Sequence, residues 1–333
     1  MTDRRQFLQS TLGLPFAAGG LSLASGRPHA QEPWPTRTIT IVVPFPAGGA
    51  TTTLARVLAE HMKTVLGQPI VVENVGGASG SIGTTRVARA APDGYTLSFG
   101  NWASHVGSGA MIPLQFDLLK DLEPVAFLAN SPLWVVAKKD LTPRDLKEFI
   151  AWLKANPDKA TAATVGVGSG SHMCGIYIQN ATGTKFQFVP YRGGAPAMQD
   201  LVAGQVDFMC DFAGNSLPWV RNGQIKPYVV MAKARWFAAP EVPTFEEMGI
   251  PGLVMGFWHG LWSPKGTPAD VVSKLNRAVR TALADATVKQ RYVDMGQELP
   301  PPEQQTPEAL AAYQKAEIEK WWPIIKAANI KAE

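Results

Sequence analysis

Charge is scarce in this chain of 333 residues. Only 17% are Asp, Glu, Lys or Arg, and the net charge is +4. No run of Lys or Arg could follow a nucleic-acid backbone, so nucleic acid is excluded as a partner. Cysteine is scarcer still, with Cys174 and Cys210 alone. Their spacing matches no metal motif. They are expected as two buried apolar thiols, although export would permit a disulfide between them. The five histidines form no metal cluster in sequence. No apolar stretch is long and uninterrupted enough to span a bilayer. The patterns H-E-x-x-H, G-x-x-x-x-G-K-[ST], G-x-S-x-G and G-x-G-x-x-G are also missing. The usual signatures of a zinc protease, a phosphate-loop enzyme, a nucleophile elbow and a dinucleotide site are therefore absent, and no cofactor, metal or catalytic residue is expected.

The hydrophobic fraction of 46% is that of a globular protein, and the length allows two domains, each with its own core. Residues 1–30 read as an export signal. Arg4 and Arg5 precede Phe7 and Leu8, a weakly apolar stretch rich in Gly and Ala follows, and Pro28-His29-Ala30 offers a cleavage point. The paired arginines resemble a twin-arginine export signal, an ordinary secretory signal being the alternative. The mature protein is then expected in the periplasm, outside the membrane and as a monomer.

Two Gly-rich turns organise what remains. Each follows an apolar strand and opens a helix, the first within residues 39–62 and the second within residues 161–183. The first N–H groups of a helix have no partner inside it, and the dipole there is positive, so each turn is suited to an anion. Around the first turn the pattern is β-α-β-α-β, ending in a strand at 95–99. A second α/β unit begins beyond an apolar strand at 133–137. Helices at 269–284, 287–295 and 307–328 lack strands of their own and are expected to return to the first unit. The fold class is α/β with a parallel sheet in each of two lobes. One lobe comprises 31–131 and 256–333, the other 132–255. Two crossings near 131–135 and 255–261 make a hinge with a ligand cleft between the lobes.

Candidate ligand contacts cluster at these turns. In the first, Pro44 and Pro46 hold Phe45 at the sheet edge, Ala47, Gly48 and Gly49 allow close backbone approach, and Thr51 and Thr52 can cap the helix or donate to a carboxylate. In the second, Ser169, Ser171 and His172 form a neutral cradle, with His172 either a donor to the ligand or a structural residue. Arg192 either pairs with a carboxylate or holds Asp211 or a loop. Asn101, Trp102 and Ser104 follow the C-terminal end of a strand, where open α/β sheets bind ligands, and Trp102 offers a stacking face for an aromatic acid. Trp258 and His259 lie on the return crossing and line either the cleft or the hinge, with the hinge favoured. The rival enzymatic reading, a hydrolase using Ser169 or Ser171 with His172, puts nucleophile and base too close in sequence to align.

The strings VVPFPAGG (42–49), LGQPIVVEN (66–74), GASGSIGT (77–84) and AAPDGYTLSFGN (90–101) occur in that order. GSGSHM (168–173), VPYRGGAPAMQDLVAGQVDFM (189–209) and GLWSPKGTPADVVSKLN (260–276) follow. Together they resemble the substrate-binding proteins of tripartite tricarboxylate transporters, the Bug family of exported solute receptors, over essentially the whole mature chain. The resemblance implies a type II periplasmic binding protein fold, a Venus flytrap with two crossover strands. It also implies capture of a small organic carboxylate and handover to membrane permease subunits; presentation to a sensor is the alternative. One departure stands out: where the family often has an acid in the first helical turn, this chain has Thr52. The missing charge argues against an ammonium-bearing ligand, and with Trp102 it tilts the reading toward an aromatic acid.

Overall fold

The computed structural model describes residues 34–166, 168–327 and 329; the expected export segment, 1–30, lies outside the described residues. The chain opens with β1 (Ile39–Val43), α1 (Ala50–Leu66), β2 (Ile70–Asn74), α2 (Ser81–Ala88) and β3 (Thr96–Asn101). β1 runs parallel to both β2 and β3. Four of its five residues are fully buried, which is why it reads as an unbroken apolar run. α1 buries Leu54, Leu58 and Met62 and stops at Gly67, whose φ of 68° supplies the left-handed cap.

A short helix, α3 (Ser108–Met111), leads to β4 (Leu122–Lys138). The second half follows as α4 (Leu146–Ala155), β5 (Thr161–Thr164), α5 (Gly170–Thr182), β6 (Gln187–Pro190), α6 (Gly194–Val202), β7 (Phe208–Phe212), α7 (Ala213–Arg221) and β8 (Ile225–Val230). The chain then returns through β9 (Gly256–Pro264) to α8 (Ala269–Ala284), α9 (Ala286–Asp294) and α10 (Pro307–Ala327). The sheet order is β2-β1-β3-β9-β4-β7-β5-β6, with β8 also on β4.

β4 is the element that sequence pattern underread. Only residues 133–137 have the apolar run of a strand, yet β4 spans 17 residues. Pro124 and Pro132 interrupt the pattern, and register shifts near 124–126 and 127–129 accommodate the irregularity. Its first part pairs with β9, and its last part lies between β7 and β8. At the changeover, Leu133 N donates to Met255 O, Met255 N to Met231 O, and Met231 N to Leu133 O. The outgoing and returning segments therefore lie side by side. Helix α7 was not expected at all, because Pro218 sits inside it and no side chain caps its start. Trp134 Nε1 donates to Ser216 Oγ at 2.7 Å and ties it to β4.

α8 and α9 pack on the first half with α1, as expected of them. α10 does more. Trp321 is fully buried, edge-on to Trp102 of the first half (5.5 Å) and to Tyr177 of α5 (5.1 Å). Lys320 Nζ donates to Val254 O at 2.8 Å. Cys174 and Cys210 are free and buried, with Cys174 Sγ 3.1 Å from Met231 Sδ. Among the described residues no helix is long and apolar enough to cross a membrane, and no cluster of potential metal ligands occurs. Because Trp321 fills a site shared by both halves, Trp321→Ala is expected to cost about 3–5 kcal/mol of stability, read from urea unfolding.

Candidate ligand-binding cleft

A cleft of about 580 Å3 opens where the two halves face each other. The first turn enters from one side. Asn74 Nδ2 donates to Phe45 O at 3.0 Å and to Thr52 Oγ1 at 2.8 Å, fixing the Pro-Phe-Pro turn to the start of α1. The small-residue run at 76–83 explains itself here. A Cβ on Gly83 would lie 2.6 Å from Val75 O and 2.9 Å from Pro44 Cα, so the turn packs against glycine by necessity. α1 has Gly49 at its N-cap and no side-chain cap. Neither Thr51 nor Thr52 serves in that role: Thr51 Oγ1 accepts from Asn101 Nδ2 at 3.2 Å and lies 3.1 Å from His259 Nε2. The first-turn N–H groups stay free of side-chain partners beside the cleft.

The other half contributes two helix starts. Ser171, in the first turn of α5, lines the cleft, and its Oγ accepts from Val165 N at 3.0 Å. α6 begins at Gly193 and Gly194, also in the cleft wall and also without a side-chain cap. Phe45, Phe212, Phe257, Leu133 and Met209 make the remaining wall largely apolar. No Lys or Arg lines it.

Of the residues singled out from sequence, Phe45, Ala47, Gly49, Thr51, Thr52, Asn101, Ser171 and Asp211 come together in this wall, with Gly48 in the same turn. Five others do not. Trp102 is fully buried in the core against Trp321, so its ring offers no stacking face to a ligand. Ser104 is fully buried and bonded to His105 Nδ1 (2.9 Å) and Asn101 O (3.2 Å). Ser169 caps α5, accepting from His172 N. His172 Nδ1 accepts from Gly168 N at 3.1 Å, and its ring stands edge-on to Phe188. Arg192 is exposed and makes no bond to Asp211. His259, which sequence leaves between cleft and hinge, reaches Thr51 beside the cleft.

Gly193 and Gly194 read in sequence as a third Gly-rich turn, overshadowed there by the charge of Arg192 before them. Asn215 and Phe212 gave no comparable signal, because α7 itself was not foreseen.

Asp211 is the one acid in the cleft wall. It is 5% exposed, its Oδ2 has no partner, and burial raises its pKa to about 6. His259, 3% exposed, is pushed the other way by burial, to about 3, and stays neutral.

Comparison with known proteins places this geometry. The family model described as tripartite tricarboxylate transporter family receptor matches residues 54–330. A protein encoded in the TAR-I ttuE-ttuC' intergenic region of Agrobacterium vitis is 39% identical over 305 residues, 90% of this chain and 87% of that protein. The structure of MatC from Rhodopseudomonas palustris with bound malate is 42% identical with a TM-score of 0.77, over 87% of this chain and 99% of MatC. The periplasmic binding protein BugD is 38% identical with a TM-score of 0.77, over 90% of this chain and all of BugD. The fold is the two-lobed α/β fold of periplasmic binding proteins.

The raised pKa of Asp211 has a consequence for stability. The folded state holds the proton more tightly than the unfolded chain, so stability is full below pH 3.8 and declines as pH rises through about 6. The accumulated penalty is about 3 kcal/mol. Asp211→Asn is expected to remove it, so the variant should gain stability over wild type at pH 7.5 but not at pH 4, measured by denaturant unfolding at both.

Proposed function

The chain belongs to the tripartite tricarboxylate transporter receptor family, and from that premise we propose that it captures a small organic carboxylate in the periplasm for delivery to membrane permease subunits. Its family is one of periplasmic solute-binding receptors, and the chain is not an enzyme. The observation that carries the ligand class is the meeting of three helix starts, from α1, α5 and α6, on one cleft without a cation. Backbone N–H groups and helix dipoles then supply the attraction for a carboxylate. The apolar wall between them suits a carbon skeleton, either of a di- or tricarboxylate or of an aromatic acid resting on Phe45, Phe212 and Phe257. MatC, with malate bound, supports the first.

Capture works by closure. Residues 34–131 and 256–327 form one lobe and 132–255 the other, and the paired segments at Leu133 and Met255 let them swing. Closing brings the α1 start against those of α5 and α6 and buries the ligand. The closed form then presents a single surface to the permease. The protein works as a monomer, exported by the twin-arginine route.

Thermal unfolding against a panel of acids tests the reading. A true ligand at a hundredfold excess over its Kd adds about 2.7 kcal/mol. A selective rise in Tm with one class of carboxylate is the expected outcome. Flat melting curves with every acid, from protein shown by mass spectrometry to carry no ligand, would sink it.

Asp211 makes binding pH-dependent. A carboxylate beside it raises its pKa further, so binding takes up a proton and tightens as pH falls from 8 to 6, by up to about tenfold per unit. Calorimetry in two buffers of different ionisation enthalpy should register that uptake. In Asp211→Asn the uptake should vanish.

A further inference from the structure

The cleft does not end at its apolar wall. A chamber of about 330 Å3 adjoins it, and Gly49, Thr51, Phe212, Asn215 and Phe257 border both spaces. Ser131, His259 and Gln297 line this chamber and are 2%, 3% and 4% exposed. Each has a polar atom without a partner: Oγ, Nδ1 and Oε1 respectively. They come from β4, β9 and the segment after α9, so three separate parts of the chain bring unsatisfied groups to one place. Buried polar atoms are rarely left unpaired, and such a concentration beside a ligand cleft points to a guest.

The chemistry of the three groups defines that guest. Asn101 Nδ2 donates to Thr51 Oγ1, which has a single proton of its own to give and lies 3.1 Å from His259 Nε2. Burial keeps the imidazole neutral. With Nε2 accepting from Thr51, the ring proton resides on Nδ1, a donor with no partner. Gln297 Nε2 donates to Met295 O at 3.3 Å, which leaves Oε1 as an acceptor. Ser131 can do either. No charged side chain lines the chamber. A second carboxylate would meet Gln297 Oε1 with no cation to balance it, and an apolar group would leave all three atoms unpaired. A hydroxyl, which both donates and accepts, satisfies the set.

We propose that the chamber receives a hydroxyl on the carbon next to the bound carboxylate, and so makes the receptor prefer 2-hydroxy acids to their deoxy counterparts. The proposal rests on the carboxylate reading of the cleft. Its position on the ligand follows from Gly49 and Thr51, which border the chamber and the α1 anion site alike.

Calorimetry with matched pairs tests it: malate against succinate, mandelate against phenylacetate, citrate against tricarballylate. The wild-type protein is expected to bind the hydroxy acid at least about tenfold more tightly in any pair that binds. The readout is the ratio within a pair, not absolute affinity. In Ser131→Ala and, independently, Gln297→Leu, that ratio should fall several-fold toward one. Circular dichroism checks that each variant is folded, and the wild-type ratio stands without them. Equal affinity for both members of every binding pair overturns the proposal and leaves the receptor reading intact. A wild-type preference unchanged in both variants removes the hydroxyl from this chamber. Binding of no acid at all overturns both readings together.

Discussion

The antiparallel pairing of β9 with β4 and β3 is the constraint on which the rest depends. β9 pairs along β4 from Leu122 to Pro132, and β4 then continues into the second half without a break. One strand therefore belongs to both halves, and its neighbour returns beside it. The same register sets the site. Asn101 at the end of β3 lies opposite His259 of β9, and both bond to Thr51 at the start of α1. A slip of one residue would turn His259 to the other face and bring Trp258 in its place, replacing a polar relay by an indole. Sheet register thus decides which chemistry faces the ligand.

Attraction for an anion without a cation follows from how these helices begin. Gly49 and Gly193 are N-caps that cannot accept from their own helices through a side chain, so the N–H groups of Ala50 and Thr51 in α1 and of Gly194 and Ala195 in α6 are left for other partners, while Thr52 N bonds to Gly49 O and Pro196 has no N–H to give. α5 differs, since Ser169 caps it and Ser171 Oγ is spent on Val165 N. The strongest donors therefore lie at α1 and α6, one on each side of the hinge. A ligand that bridges them stabilises the closed state in preference to the open one, which is what a receptor that signals occupancy by closure requires. Lys and Arg would hold an anion equally well in an open cleft and couple it less to closure.

Sequence reading succeeded where local chemistry dictates geometry. The Gly-rich turns, the buried parallel strands and the α1 helix all follow from residue period and turn chemistry, and these turns bring Phe45, Gly49, Thr51 and Ser171 to one cleft wall. It failed where tertiary packing overrides local pattern. Asn101 and Trp102 are neighbours at a strand end, but the backbone turns into a tight helical segment there. Asn101 stays in the cleft, and Trp102 turns into the core against Trp321. Nothing in the residues themselves distinguishes the two. Pro218 hid α7, and with it Asn215. Ser131 and Gln297 are isolated polar residues in weak pattern; the return of β9 beside β4 brings Ser131 near His259, and the bridge between Asn130 and Glu298 brings Gln297 there.

Thr52 and Asp211 would bear on the charge of a ligand in different ways. The absence of an acid at Thr52 suggested a purely anionic solute. Yet Thr52 Oγ1 is bonded to Asn74 Nδ2, which also holds Phe45 O, so the hydroxyl acts as a brace for the turn. The acid that faces the cleft is Asp211, and its state depends on its guest. Alone, burial already draws it toward the neutral form. A bound carboxylate would push it further that way and make the protonated side chain a donor. An ammonium group would pull it in the opposite direction, keep it ionised and favour binding at higher pH. The sign of the pH dependence, more than any single residue type in the sequence, therefore separates a purely anionic solute from an amino acid.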